Sequence, residues 1–162
     1  MKLRWFVVIA FLNFILQSVV FEQFRLFGIA PNTALILIVG ASLIFGVRQG
    51  LVLASVAGIL QDIFFSKALG EYTLVYCLVA LALGLLEGKL YKDNWLTPIT
   101  SMTGATLCFH VLFLAVAFFS RDIADFQVAL FRIFPIEALL NTLVFMVFYR
   151  RIYRRAYGYG LN

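Results

Sequence analysis

The sequence predicts an all-α fold, a polytopic integral membrane helix bundle with about six transmembrane helices. Hydrophobic residues make up 64% of the 162 residues, and the mean hydropathy is +1.00. Soluble domains are only about 45–50% apolar. The apolar residues form long uninterrupted segments, as membrane helices of roughly 20 residues require. A β-barrel is disfavoured because barrel strands alternate apolar and polar residues.

The apolar segments are predicted to form a single transmembrane domain over residues 1–162, since the loops are too short to hold a soluble domain. The predicted spans are 5–21, 32–47, 51–65, 72–88, 95–120 and 128–149, followed by a basic tail, 150–162. No small-residue cleavage pattern follows the first span, so we expect it to stay as an anchor. Spans two and three are short and close together, and a re-entrant hairpin is the alternative.

The basic residues indicate the orientation of the bundle. With the N-terminus in the cytoplasm, nine of the 13 basic residues lie on the inner side. The four others are Arg25, Lys67, Arg121 and Arg132. Because basic loops stay in the cytoplasm, both termini are predicted to be cytoplasmic. This topology accounts for the net charge of +5 without a nucleic-acid partner, and the tail is left to contact membrane lipids or a cytoplasmic protein.

One carboxylate stands out in the third span, where Gly50, Ala54, Gly58 and Asp62 recur every four residues. On a helix this spacing places them on one face, and small residues let a second helix approach closely. Asp62 should therefore face protein rather than lipid. An ionised aspartate in mid-membrane costs about 2.5–3.5 kcal/mol on insertion scales. We expect Asp62 to fix this helix in the bundle through a polar partner.

Amides and a second carboxylate occupy the first and last spans. Asn13 and Gln17 stand four residues apart, which suits either hydrogen bonds inside the bundle or contact with a partner. Glu137 and Asn141 share a face of the last helix, and Glu137 is expected to pair with Arg132 or His110.

The fourth span repeats the small-residue spacing of the third. Ala80, Gly84 and Gly88 stand four residues apart, so we expect two small-faced helices to pack closely. Glu87 is expected to reach the membrane interface and to pair with a base such as Lys89.

The sequence contains no recognisable catalytic constellation. It has a single histidine and two cysteines, too few ligands for an ordinary metal site. A nucleophile with its base, a glycine-rich phosphate loop and closely spaced paired carboxylates are likewise missing from the sequence. We therefore predict a protein that is not an enzyme and uses no cofactor.

Four segments together carry a family resemblance. They are Pro31-Asn32, Arg48-Gln49-Gly50, GILQDIFFSKALGEYTLVY over 58–76, and IEALLNTLVF over 136–145. With them the chain resembles the rod shape-determining MreD family over almost its full length. The matching candidate residues, taken as structural or partner-binding, are Gly58, Asp62 and Gly70 in the strongest segment and Pro31, Asn32, Glu137 and Asn141 in weaker ones.

The resemblance implies a multi-pass subunit of the cell-elongation complex in the bacterial inner membrane. Its expected partners are MreC, a single-span protein, and also MreB, RodA and a penicillin-binding synthase. Together they position peptidoglycan synthesis to maintain rod shape. Members of the family also resemble the six-helix substrate-binding subunits of energy-coupling-factor vitamin transporters.

That second likeness implies an alternative, a small-molecule or lipid-binding membrane subunit. Its cavity would be lined by Asp62, His110, Glu137 and Asn141. A self-contained transporter is disfavoured because the chain is short and has no evident inverted halves.

Overall fold

The computed structural model describes residues 3–21, 28–66, 70–86, 96–119 and 132–157, and it is all-helical. The all-α prediction is therefore confirmed. Six helices fall on the six predicted segments: α1 (Leu3–Leu16, continued by a π-helical turn over Gln17–Phe21), α2 (Thr33–Phe45), α3 (Val47–Phe65), α4 (Glu71–Leu86), α5 (Leu96–Phe119) and α6 (Phe134–Tyr157). The predicted positions Arg25, Lys67, Glu87, Gly88, Lys89 and Arg121 lie outside the described residues.

The helices differ in how far they could cross a membrane. By length and composition, α3 with 19 residues and α5 with 24 residues are long and apolar enough to span one. The apolar stretches of the other four helices are shorter, 10–17 residues each. At 1.5 Å per residue, 13 residues of α2 cover about 20 Å of a hydrocarbon core that is roughly 30 Å thick. Two of the six predicted spans thus form helices that are long and apolar enough to cross a membrane.

The helices run in alternating directions through the bundle. A single residue, Gly46, joins α2 to α3, and its φ of 99° is a conformation that favours glycine. The alternation gathers most of the buried polar side chains at one end, which we call the polar end. It consists of Gln17, Asn32, Thr33, Gln61, Asp62, Tyr76, Thr106, His110, Glu137 and Asn141, together with the first turn of α4.

Glycines allow the closest helix contacts. A Cβ atom on Gly50 would overlap Ser42 of α2, and one on Gly84 would overlap Val47 of α3. At Gly58 the Cβ would overlap the backbone of Thr73 in α4, which cannot rotate away as a side chain can. Helices α3 and α4 therefore pack closely, as predicted, at Gly58 and at Gly84, whereas Gly50 meets α2.

Apolar side chains both fill the core and cover the outside of the bundle. Leu35, Ile38 and Val75 are fully buried, whereas Leu85 and Phe119 are more than 80% exposed. Large exposed apolar surfaces are rare on soluble monomers, but a bilayer solvates them. The surface therefore fits the membrane location that the composition predicts.

The contact at Gly58 yields a first prediction. Gly58→Ala should lower the free energy of unfolding by about 1–3 kcal/mol, because the new methyl group meets backbone that must move. Gly104→Ala is the matched control, since nothing lies within 4 Å of its Cβ position. Alanine's higher helix propensity should leave that variant as stable or up to about 1 kcal/mol more stable. Thermal unfolding of both purified variants in one detergent tests this, and equal effects would contradict it.

Candidate functional site

Asp62 of α3 caps the N-terminus of α4. Its Oδ1 accepts a hydrogen bond from the Tyr72 N–H at 2.7 Å, and its Oδ2 accepts from the Thr73 N–H at 3.1 Å and the Thr73 hydroxyl at 2.5 Å. The first N–H groups of a helix have no partner within that helix. A carboxylate at this position also lies at the positive end of the helix dipole. Asp62 is only 4% exposed, so the cap lies inside the protein.

Two glycines make this cap possible. Gly58 lies one turn before Asp62 and admits the backbone of Thr73, which brings the start of α4 within reach of the carboxylate. Gly70 precedes α4 with a φ of 104°, and its carbonyl oxygen accepts the Leu74 N–H at 2.9 Å. Gly58, Asp62 and Gly70 thus act together. The sequence predicted a polar partner for Asp62 without naming it, and in the structure that partner is the N-terminus of α4. The contributions of Tyr72 and Thr73 were not predicted from the sequence.

Asn32 joins the N-terminus of α2 to α6. Its Oδ1 accepts from the Leu35 N–H at 3.0 Å, which is the usual side-chain N-cap contact. Its own N–H donates to Oδ1 of Asn141 at 2.7 Å. Pro31, which precedes it, is buried as well. These contacts attach the start of α2 to the last helix of the bundle.

Glu137 pairs with His110, one of the two predicted partners, and Arg132 is exposed. The His110 Nε2 and Glu137 Oε2 atoms lie 3.0 Å apart, and both side chains are about 10% exposed. Asn141 connects this pair to the rest of the polar end. Its Nδ2 donates to Thr106 Oγ1 at 3.2 Å and to Glu137 Oε1 at 3.4 Å.

Tyr76 and Gln61 link these groups to α1, and neither was predicted from the sequence. The Tyr76 hydroxyl lies 2.8 Å from Gln61 Oε1 and 3.0 Å from Asn32 Oδ1, and it has one proton for both acceptors. Gln61 Nε2 donates to Gln17 Oε1 at 3.4 Å. That oxygen also accepts from the Thr33 hydroxyl at 3.0 Å and the Ala34 N–H at 3.3 Å. Gln17 therefore serves internal bonding.

Asn13 has a different position from Gln17. It lines an apolar groove of about 340 Å³ between α1, α2 and α6, and it makes no hydrogen bond to any residue that the structure describes. The groove is lined by Ile9, Asn13, Leu16, Thr33, Ile36, Leu37, Gly40, Ala41, Ile44, Phe45, Leu53, Val144, Phe145, Phe148 and Tyr149. Of the two interpretations of the amide pair, internal bonding holds for Gln17, and contact with a partner stays open for Asn13.

The chemistry of the polar end is that of a structural network. Its amides, carboxylates and hydroxyls bond to one another or to helix N-termini, and none of the four residues proposed to line a ligand cavity borders the groove. Within the described residues, no group of three His, Cys, Asp or Glu side chains could hold a metal ion. Cys77 and Cys108 are free thiols.

Comparison with known families identifies the chain. The family model described as rod shape-determining protein MreD matches residues 1–154. The chain belongs to the MreD family. MreD proteins are membrane proteins of the MreBCD rod-shape system, so the predicted family and its role in cell shape are confirmed. Searches of curated proteins and of solved structures gave no match. The likeness to vitamin-transporter subunits therefore has no support from a solved structure.

The cap in this MreD chain can be tested by a double-mutant cycle. Asp62→Asn exchanges one acceptor oxygen for a donor, and it should cost about 1.5–3 kcal/mol of stability, as for hydrogen bonds to charged groups. Thr73→Val removes only the hydroxyl contact and should cost about 0.5–1.5 kcal/mol. Because both variants remove one shared contact, the double variant should lose less than the sum. Additive losses in thermal unfolding would mean that the two residues do not interact.

The buried pair of α5 and α6 gives a separate prediction. Glu137→Leu leaves His110 buried without its partner and should cost about 3–5 kcal/mol, as measured for broken buried pairs. Replacing both residues, with His110→Phe and Glu137→Leu, should recover much of that stability, because neither member of the pair is left buried without the other and Asn141 keeps its bond to Thr106. The comparison is again thermal unfolding in detergent. A double variant as unstable as the single one would argue against the pair as the cause.

Proposed function

We propose that this MreD-family protein is a non-enzymatic subunit of the cell-elongation complex, which binds MreC in the bacterial inner membrane. In this role it helps to position peptidoglycan synthesis together with MreB, RodA and a penicillin-binding synthase. The chain crosses the membrane several times and has both termini in the cytoplasm, in accord with the distribution of its basic residues. Family membership supports the general role, and one helix face supports the contact with MreC.

That face belongs to α1, the least covered helix. Among the α1 side chains described over residues 7–19, Ala10 alone is buried. Val8, Leu12, Ile15 and Val19 follow a spacing of four, three and four residues, and each is 43–57% exposed. This spacing forms one straight stripe on a helix, of the kind that packs along a second helix. MreC, as a single-span protein, would supply such a helix.

Asn13 lies about 120° around α1 from this stripe, on the side that lines the groove, and offers a polar contact there. Its amide makes no hydrogen bond to any described residue, and a polar group on an incoming helix would satisfy it. Interhelical hydrogen bonds in membranes contribute about 0.6–2 kcal/mol. One hydrogen bond to Asn13 would therefore fix the register of a partner more than it adds affinity.

The internal bonding of the polar end favours a scaffold over a small-molecule-binding subunit. Asp62, Glu137 and Asn141 are occupied by contacts between helices, and these contacts connect all six helices of the bundle directly or through Gln17 and Tyr76. Such a network makes the bundle a firm support for a partner. It also leaves few of these polar atoms to recognise a ligand.

The contact with MreC is tested by site-specific photocrosslinking in native membranes. A photoreactive amino acid at Leu12 or Ile15 of α1 should capture MreC. The matched control positions are Leu143 and Val147 of α6, which are 56% and 71% exposed and face away from α1. These positions should capture much less MreC. Equal capture from both helices, or capture from α6 alone, would overturn the assignment to α1. Failure of MreC to co-purify with the unaltered protein from native membranes would overturn the contact itself.

A further inference from the structure

The groove between α1, α2 and α6 changes character along its length. Asn13 and Thr33 give the groove polar side chains toward the polar end of the bundle, and Thr33 is already bonded to Gln17. The part nearer Gly46 is lined mainly by apolar side chains, Ala41 and Phe45 among them, and Tyr149 also borders the groove. A volume of about 340 Å³ lies near the lower limit of ligand pockets, which is about 300 Å³. The groove therefore has room for a slender apolar group.

A positive charge continues the lining of α6 beyond the groove. Val144 and Phe148 line the groove, and Arg151 follows them at the spacing that keeps a helix face. Arg151 is exposed and makes no ion pair with a residue that the structure describes. Arg48, which lies just beyond the Gly46 turn at the same end, is exposed as well.

No carboxylate offsets these charges in the described part of the chain. Its acidic side chains are Asp62, Glu71 and Glu137, and all three lie at the polar end, on the opposite side of the bundle. The Gly46 end of the groove therefore combines a mainly apolar channel with cationic groups that pair with no carboxylate among the described residues. This combination is complementary to a molecule with a hydrocarbon chain and an anionic head.

We propose that the groove holds one acyl chain of an anionic phospholipid, with the lipid phosphate at Arg151 and Arg48 beside it. A slender apolar group such as an acyl chain suits the groove, and the charges at its Gly46 end decide which kind of lipid it would take. The cations favour an anionic head over a zwitterionic one, because basic groups near a membrane surface attract anionic lipid. The groove adjoins the side of α1 assigned to MreC and includes Asn13 in its lining, but its occupation by lipid does not depend on MreC.

The first test uses the unaltered protein in phosphatidylcholine vesicles that contain phosphatidylglycerol with a photoreactive acyl chain. Labelled peptides should concentrate on the α2 and α6 residues that line the groove. They should be several-fold more abundant than peptides labelled at Leu107 or Val111, which are exposed on α5. Unlabelled phosphatidylglycerol should compete, and phosphatidylcholine should not. Uniform labelling would overturn the site, and equal competition by both lipids would overturn the role of charge.

Two variants with matched controls test the head and the chain separately. Arg151→Gln should lower the preference for phosphatidylglycerol over phosphatidylcholine about fivefold, as expected for one interfacial charge. Arg132→Gln at the opposite end should leave it unchanged. Leu37→Trp fills the groove and should abolish groove labelling, whereas Leu81→Trp on the exposed face of α4 should not. Groove variants that behave like their controls would overturn the proposal. Crosslinking of MreC, in place of lipid, by a photoreactive amino acid at Leu37 would overturn it as well.

Discussion

The first N–H groups of α4 need hydrogen-bond acceptors from outside their own helix, and Asp62 provides them. In a membrane every backbone N–H must be satisfied by the protein itself. The cap fixes α4 against α3, with the contact at Gly58 directly beside it. One turn further along α4, this placement brings the Tyr76 hydroxyl to Gln61 and Asn32. The remaining links to α1, α2 and α6 build on that position.

The same electrostatic pattern recurs at three helix N-termini of the polar end. Asn32 caps α2, Asp62 caps α4, and Glu137 lies in the first turn of α6. Oxygen atoms and negative charge stabilise helix N-termini because the helix dipole is positive there. The alternating helix directions bring these three ends together, so their polar groups can share partners. A single layer of bonds thereby serves both the individual helices and the contacts between them.

The sequence predicted much of the fold and part of the site, for identifiable physical reasons. Periodicity alone placed Asp62 on the packed face of α3, because small residues every four positions mark a close contact. Periodicity could not identify the donors that bond to Asp62, since a helix N-terminus ten residues away leaves no periodic signal. Tyr76 was missed because a buried tyrosine and one at the interface look the same in sequence. Asn13 and Gln17 share a face, yet a difference of one turn places one in a groove and the other in the network.

The contacts of α6 have a consequence for biogenesis. During synthesis α6 is the last of the six helices to be made, and it carries Glu137 and Asn141. Until it arrives, the Asn32 N–H and the His110 side chain lack the partners that it supplies. Unpaired polar groups inside a membrane are costly. The insertion of α6 therefore closes the network, and the five helices made before it hold buried polar groups whose partners arrive only with it.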